Sequence, residues 1–116
     1  MSQPAPTALA DKITGLVSGL GLSQDEIGRI VDASGRTVAR WSAGKVTPQR
    51  LNRDRLLELA YVAEALTEVL PRDRANLWIF SPNQLLDHDT PAARIHDGQW
   101  KDVVAVIEAI ADGIVV

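Results

Sequence analysis

Arg36 and Arg40, four residues apart, are the residues in this chain whose type and spacing first suggest a chemistry. Within "SGRTVARWSAGK" (34–45) a period of 3.6 places both on one face of a helix and turns Val38 and Trp41 to the other. A guanidinium donates two parallel hydrogen bonds to guanine O6 and N7 in a DNA major groove, or grips a phosphate. A helix that reads bases must also be anchored from behind, which Val38 and Trp41 suit. Ser34, Arg36, Thr37 and Arg40 lie toward the N-terminal end, the end that enters the groove in a helix-turn-helix, so Arg36 and Arg40 are the base-reading candidates. Lys45, Arg50 and Arg53 follow and fit phosphates. Two arginines alone would equally suit a solvated face, but their surroundings favour DNA. Six cations against the single anion Asp54 give residues 34–55 a net charge of +5 in a chain whose total is −3, leaving −8 for the remainder. Such asymmetry fits one segment that meets a polyanion and a remainder that meets something else.

The elements that must position this helix are legible on either side. Residues 1–8, with Pro4 and Pro6, read as a disordered lead. Leu9, Ile13, Leu16, Val17 and Leu20 then recur at helical spacing until Gly19 and Gly21 end the pattern. Ser23 with Glu26 forms a capping box that opens a short helix facing inward through Ile27, Ile30 and Val31. "VDAS" is a polar turn that ends on Ser34 as the next N-cap, and Gly44 can close the helix after it in the left-handed conformation. Thr47-Pro48, Ser81-Pro82 and Thr90-Pro91 each set an N-cap hydroxyl before a proline at N1. The longest helix is expected from Pro48 to Leu70, halted by Pro71. Its core stripe would be Leu51, Leu56, Leu59, Val62, Ala63, Leu66, Val69 and Leu70, with Leu57 and Tyr61 outside it beside Glu64 and Glu68. Short helices are expected at 73–80, 82–88 and 91–98, with Trp78, Ile79 and Phe80 in the core. A last helix carries Trp100, Val103, Val104, Ile107, Ile110 and Ala111 as far as Gly113. The expected fold is all-α: a helix-turn-helix region over 9–55 and a small helical module over 56–116.

The 116 residues include no cysteine, which excludes disulfides and thiolate metal sites. No signal peptide or membrane-length apolar run is evident, so a cytoplasmic protein is expected. Asp87, His88 and Asp89 resemble a metal cluster, but adjacent residues on a turn rarely converge on one ion, and His96 lies eight residues beyond His88; no metal is expected. There is no glycine-rich phosphate loop, recognisable nucleophile set or acid/base carboxylate pair, so the chain reads as a non-enzyme without cofactors. The closing "GIVV" either folds back on the core or serves as an apolar anchor, since three branched side chains and a carboxylate can enter a partner's cleft. Leu57 and Tyr61 are candidates for a further interface, with a second copy or with another protein. On these residues alone, a free-standing repressor whose C-terminal half only dimerises remains an alternative.

From Gly21 onward the sequence resembles the Xre/MbcA/ParS family of type II antitoxins, most closely its MbcA-type members. The likeness runs through "GLSQDEIGRIVDASGRTVARWSAGK", the W-(I/L)-x-x-P-N segment at Trp78–Asn83, Thr90-Pro91 and the late Gly113. It implies an Xre-like helix-turn-helix followed by a toxin-binding domain. It also implies a RES-domain toxin partner that consumes NAD⁺ and whose active-site cleft the antitoxin's C-terminal part covers. The blocking element would then be Ile114, Val115 and Val116, with Gly113 as the turn that lets them depart. Operator DNA, through which such proteins repress their own operon, is the second implied partner, with a homodimer or a toxin–antitoxin hetero-oligomer as the assembly. One departure stands out: many members carry a Gly-Gly-like turn before the Thr-Pro, where this chain reads "LDHDTP".

Overall fold

Ser23 and Glu26 close on each other as a complete capping box. The Glu26 amide donates to Ser23 Oγ at 3.0 Å, and the Ser23 amide donates to Glu26 Oε1 at 2.9 Å. Side-chain caps from Ser34 and Thr90 open two further helices in the computed structural model, which describes residues 6–113. In chain order the helices are α1 (Pro6–Leu20), α2 (Gln24–Val31), α3 (Gly35–Ser42), α4 (Arg50–Val69), α5 (Arg72–Ile79), α6 (Pro91–His96) and α7 (Trp100–Ala111), with one 3₁₀ turn at Gln84–Leu86. The described residues contain no strand, so the fold is all-α.

Helix α4 is the spine, packing against α1, α2 and α7. Leu56, Leu59, Val62, Ala63 and Leu66 on α4 join Leu9, Ile13, Leu16 and Leu20 of α1 and Val103, Val106 and Ile107 of α7 in one continuous core. Each fully buried aliphatic side chain contributes about 1.5–3 kcal/mol relative to exposure. The expected boundary between residues 55 and 56 therefore falls inside a single helix.

Several expectations need correction. Helix α1 begins at Pro6, not after residue 8, because proline pre-sets a helical φ where an amide would have no partner. Val17 is exposed, so the inward stripe of α1 is Leu9, Ile13, Leu16 and Leu20. Thr47-Pro48 does not start α4: the chain stays non-helical through Gln49, and Pro48 is buried as a packing residue. Leu51 falls outside the core at 59% exposure, because Asn52 takes the inward position on that turn of α4. Ser81-Pro82 does not start a helix either, since the Ser81 hydroxyl donates back to the Leu77 carbonyl at 2.6 Å. Asn83 takes over as the cap, its Oδ1 accepting from the Leu85 amide at 2.9 Å. Of the expected core trio only Ile79 is fully buried. Trp78 is half-buried with its indole N–H shielded from solvent and unpartnered among the described residues, and Phe80 sits at the open end of α5 over a groove of ≈ 410 Å³ beside Ile30 and Ala92. On α7 the inward stripe takes Val106, and Ala111 is exposed.

Candidate functional site

The face around α3 is built from its caps inward. Ser34 accepts the Thr37 amide at 3.0 Å, and its hydroxyl donates to Thr37 Oγ1 at 2.9 Å, so both candidate side chains are already engaged in holding the helix start. At the other end Lys45 N–H donates to the Arg40 carbonyl and Gly44 N–H to the Trp41 carbonyl, both at 3.0 Å, with Gly44 at φ +72°. This paired closure is the Schellman arrangement, for which glycine is favoured because L side chains are strained at that φ. Between the caps Val38 and Trp41 are buried at 0% and 4% exposure, while Arg36 and Arg40 stand in solvent.

Helix α3 is held to α2 by close backbone approach. A Cβ on Gly28 would collide with the carbonyl oxygen of Ala33, so a side chain there would push the α2–α3 turn away. Asn52, from α4, ties the same turn down: its Nδ2 donates to the carbonyls of Val31 at 2.7 Å and Asp32 at 3.1 Å. Sequence reasoning missed Asn52, although it sits four residues before Leu56 on the inward side of α4, where a polar group is tolerated only with a partner.

Lys45 and Arg50 are exposed, Arg53 is half-buried, and Arg36, Arg40, Lys45, Arg50 and Arg53 form no ion pair among the described residues. Arg55 leaves the group. It pairs with Glu58 at 3.0 Å and donates from Nε to the His96 carbonyl at 3.1 Å, fixing the α6–α7 corner to α4. The five remaining cations, with Asp54 the sole anion among them, make an exposed basic surface at the junction of α3 and α4.

At the opposite end, the loop between α5 and α6 is organised by two residues. Asn83 is buried; its amide donates to the Asp89 carbonyl and its carbonyl accepts from Leu86 and His88, which draws the loop into a closed ring. Arg94, whose side chain is 14% exposed, donates to Asp89 at 2.8 Å, to Asp102 at 3.0 Å and to the Leu86 carbonyl at 2.8 Å, clamping the loop to α7. The Asp89 hydrogen bond raises the Arg94 pKa above its ordinary value; burial opposes it, and the charges of Asp89 and Asp102 with the Asp102 hydrogen bond add to the rise. Asp87 and His88 both adopt left-handed backbone, φ 54° and 69°, so "LDHDTP" makes its turn with L residues.

Helix α7 ends at Ala111, and Gly113 follows at φ +86°, exposed, with no atom of the described residues within 4 Å of where a Cβ would stand. Ile114, Val115 and Val116, the expected blocking element, lie outside the described residues. Leu57 is half-buried, and Tyr61 is 57% exposed with its ring edge-on to Trp100 at 5.4 Å. No helix among the described residues is long and apolar enough to cross a membrane.

Near-complete likeness to known proteins accompanies this geometry. The chain is 58% identical over 108 residues, 93% of its length and 96% of theirs, to the mycobacterial cidal antitoxin MbcA of Mycobacterium tuberculosis and of Mycobacterium bovis. A probable mycobacterial cidal antitoxin of M. tuberculosis is 27% identical over 104 residues, covering 90% of this chain and 89% of that one. In structure, the chain matches one from the crystal structure of the M. tuberculosis MbcT–MbcA toxin–antitoxin complex, with a TM-score of 0.84 over 93% of this chain and 97% of the other. No family model matches the sequence. An all-α chain with these relatives is an antitoxin of a toxin–antitoxin system. It belongs to the family of the mycobacterial cidal antitoxin MbcA.

Proposed function

We propose that this antitoxin neutralises a RES-domain toxin that consumes NAD⁺ by covering its active-site cleft with the C-terminal end, and that it represses its own operon through a helix-turn-helix formed by α2 and α3. The observation that carries the first part is full-length likeness to an antitoxin chain solved together with its toxin, MbcT. Gly113 supports the tail mechanism. Its left-handed φ is one that glycine adopts without strain and that ends α7, as a tail leaving the helix requires. Burying Ile114, Val115 and Val116 in a cleft is worth about 1.5–3 kcal/mol per side chain before the cost of ordering the tail.

For DNA, the supporting feature is the exposed pair Arg36 and Arg40 on a helix whose reverse side is locked by Val38 and Trp41. In this reading Ser34 and Thr37 shape the helix start that enters the groove, and Lys45, Arg50 and Arg53 meet phosphates. If Arg40 reads a base, Arg40→Ala costs about 1–3 kcal/mol on the operator.

The test for the first part is cellular NAD⁺ with the neighbouring toxin gene expressed alone, with the full chain, and with a chain ending at Asp112. Collapse, protection and collapse again are expected, with the truncated chain folded and present at equal level. Protection by both chains would retain the antitoxin and discard the tail. No collapse with the neighbour alone would remove the NAD⁺-consuming partner.

A further inference from the structure

We propose that Asp25, in the first turn of α2, is a base-reading residue of the DNA face and selects a cytosine beside the base pair that Arg36 contacts. The observation behind it is where the Asp25 carboxylate stands. Gly35 opens α3, and a Cβ built on it would collide with Asp25 Oδ1. The first residue of α3 thus has no side chain of its own, and a carboxylate from α2 fills the space that one would take. Arg36 comes next in sequence and stands in solvent. Asp25 is exposed too and takes part in no ion pair among the described residues, so its charge is not neutralised by Arg36.

The scaffold holds the carboxylate at this point. The capping box of Ser23 and Glu26 starts α2 and sets Asp25 in its first turn. Gly28 lets α2 approach the backbone of the α2–α3 turn, and Asn52 ties that turn to α4, so the starts of the two helices are fixed relative to each other. The N-terminus of α3 is the positive end of its backbone dipole, which favours an anion beside Gly35.

An ionised carboxylate only accepts hydrogen bonds. On their major-groove edges guanine presents two acceptors, thymine an acceptor and a methyl group, and adenine a donor beside an acceptor. Cytosine presents its N4 amino donor with no acceptor of its own beside it. A carboxylate at the leading end of the reading helix therefore favours cytosine over the other bases. It also meets phosphates with like charge, which weakens binding to DNA of unrelated sequence. The two guanidinium groups supply attraction, and the carboxylate supplies discrimination. This inference rests on the DNA-binding part of the proposed function and adds to it a residue outside the basic surface.

Selection from a randomised double-stranded DNA library tests it, with the full chain alone and co-purified with its toxin, followed by anisotropy titrations on the enriched duplex and its single-base variants. The wild type is expected to prefer cytosine at one position by about tenfold or more. Asp25→Ala should flatten that position to within about twofold, keep the preferences set by Arg36 and Arg40, and bind unrelated DNA at least about twofold more tightly. Asp25→Asn, whose amide can pair with adenine N6 and N7, should move the preference from cytosine to adenine. Gly35→Ala should flatten the same position with Asp25 still present, because its Cβ displaces the carboxylate. Circular dichroism melts check that each variant is folded. Cytosine preference retained in Asp25→Ala or in Gly35→Ala overturns the assignment. Lower stability of Asp25→Ala with base preferences unchanged overturns it equally, since that marks an anion that only stabilises the start of α3. A wild-type chain that enriches no sequence refutes the DNA-binding part of the proposed function itself, whereas selection lost in Arg36→Ala and intact in Asp25→Ala refutes the role of Asp25 alone.

Discussion

Asn52 offers the sharpest test of how α3 is aimed. Its amide nitrogen reaches from α4 to the last carbonyl of α2 at 2.7 Å and to the next at 3.1 Å, across 21 and 20 residues of sequence. Asn52→Ala removes one good and one weaker hydrogen bond, and a net bond is worth about 0.5–1.5 kcal/mol. The Val31 carbonyl is left half-buried without its donor, which brings the expected loss to about 1–2 kcal/mol. For a chain of this size that lowers the melting temperature by about 4–8 °C. Asn52→Asp keeps the shape but faces two carbonyl oxygens with a carboxylate, so it should cost about 2–3 kcal/mol, more than alanine. Because the residue fixes the α2–α3 turn, operator affinity should fall in both variants at temperatures where they remain folded, while toxin neutralisation persists. Urea melts followed by circular dichroism give the stabilities, and a fluorescence anisotropy titration gives the affinity. An aspartate variant as stable as the alanine variant would show that the amide donates to nothing of consequence, and the account of the turn would be wrong.

The glycines divide by what surrounds them. Gly28→Ala should destabilise by about 2–3 kcal/mol in a thermal melt, since the Ala33 carbonyl it strikes is backbone and cannot swing aside. Gly15→Ala and Gly19→Ala meet open space on α1 and should each stabilise by about 0.5–1 kcal/mol. In the loop before α6, His88→Gly relieves a left-handed backbone at an exposed residue and should raise stability by about 0.5–1 kcal/mol after the entropy of glycine is counted. A loss in that variant would mean that the His88 side chain makes a contact the turn depends on.

What could be read in the sequence follows the reach of each interaction. Ser23, Ser34 and Thr90 cap helices through bonds to amides three residues on, and Gly44 closes α3 within its own turn, so short words of sequence contain the whole interaction. Ser81 carries the same word and fails, because Leu77 offers its hydroxyl a carbonyl behind it and Asn83 offers the next turn a better acceptor. The ties that assemble the helices were illegible for the opposite reason. Arg72 donates to the Ser18 carbonyl, Asn76 to the Leu20 carbonyl and Arg55 to that of His96, partners 41 to 56 residues away that no local pattern names. Surface roles are harder still, since Arg36 and Arg40 look the same on a solvated face and on a reading face.

The position of α4 decides how the two proposed activities relate. Its first turns carry Arg53 of the basic surface and Asn52, which holds the α2–α3 turn; its middle supplies core to α1 and α7 together. A chain cut near residue 55 would lose Leu56, Leu59 and Leu66, all fully buried, and expose the apolar faces of α1 and α2 that rest on them. The α1–α3 region is therefore not expected to fold apart from the C-terminal half. Under the proposed function, a toxin that takes up the C-terminal end acts on a body whose core is continuous with the helix that holds the α2–α3 turn. Such continuity transmits a change only if the core has two arrangements, and dense packing around α4 favours one. The expectation is thus that toxin alters operator affinity by changing how many α3 helices are presented together, and not by re-aiming each one.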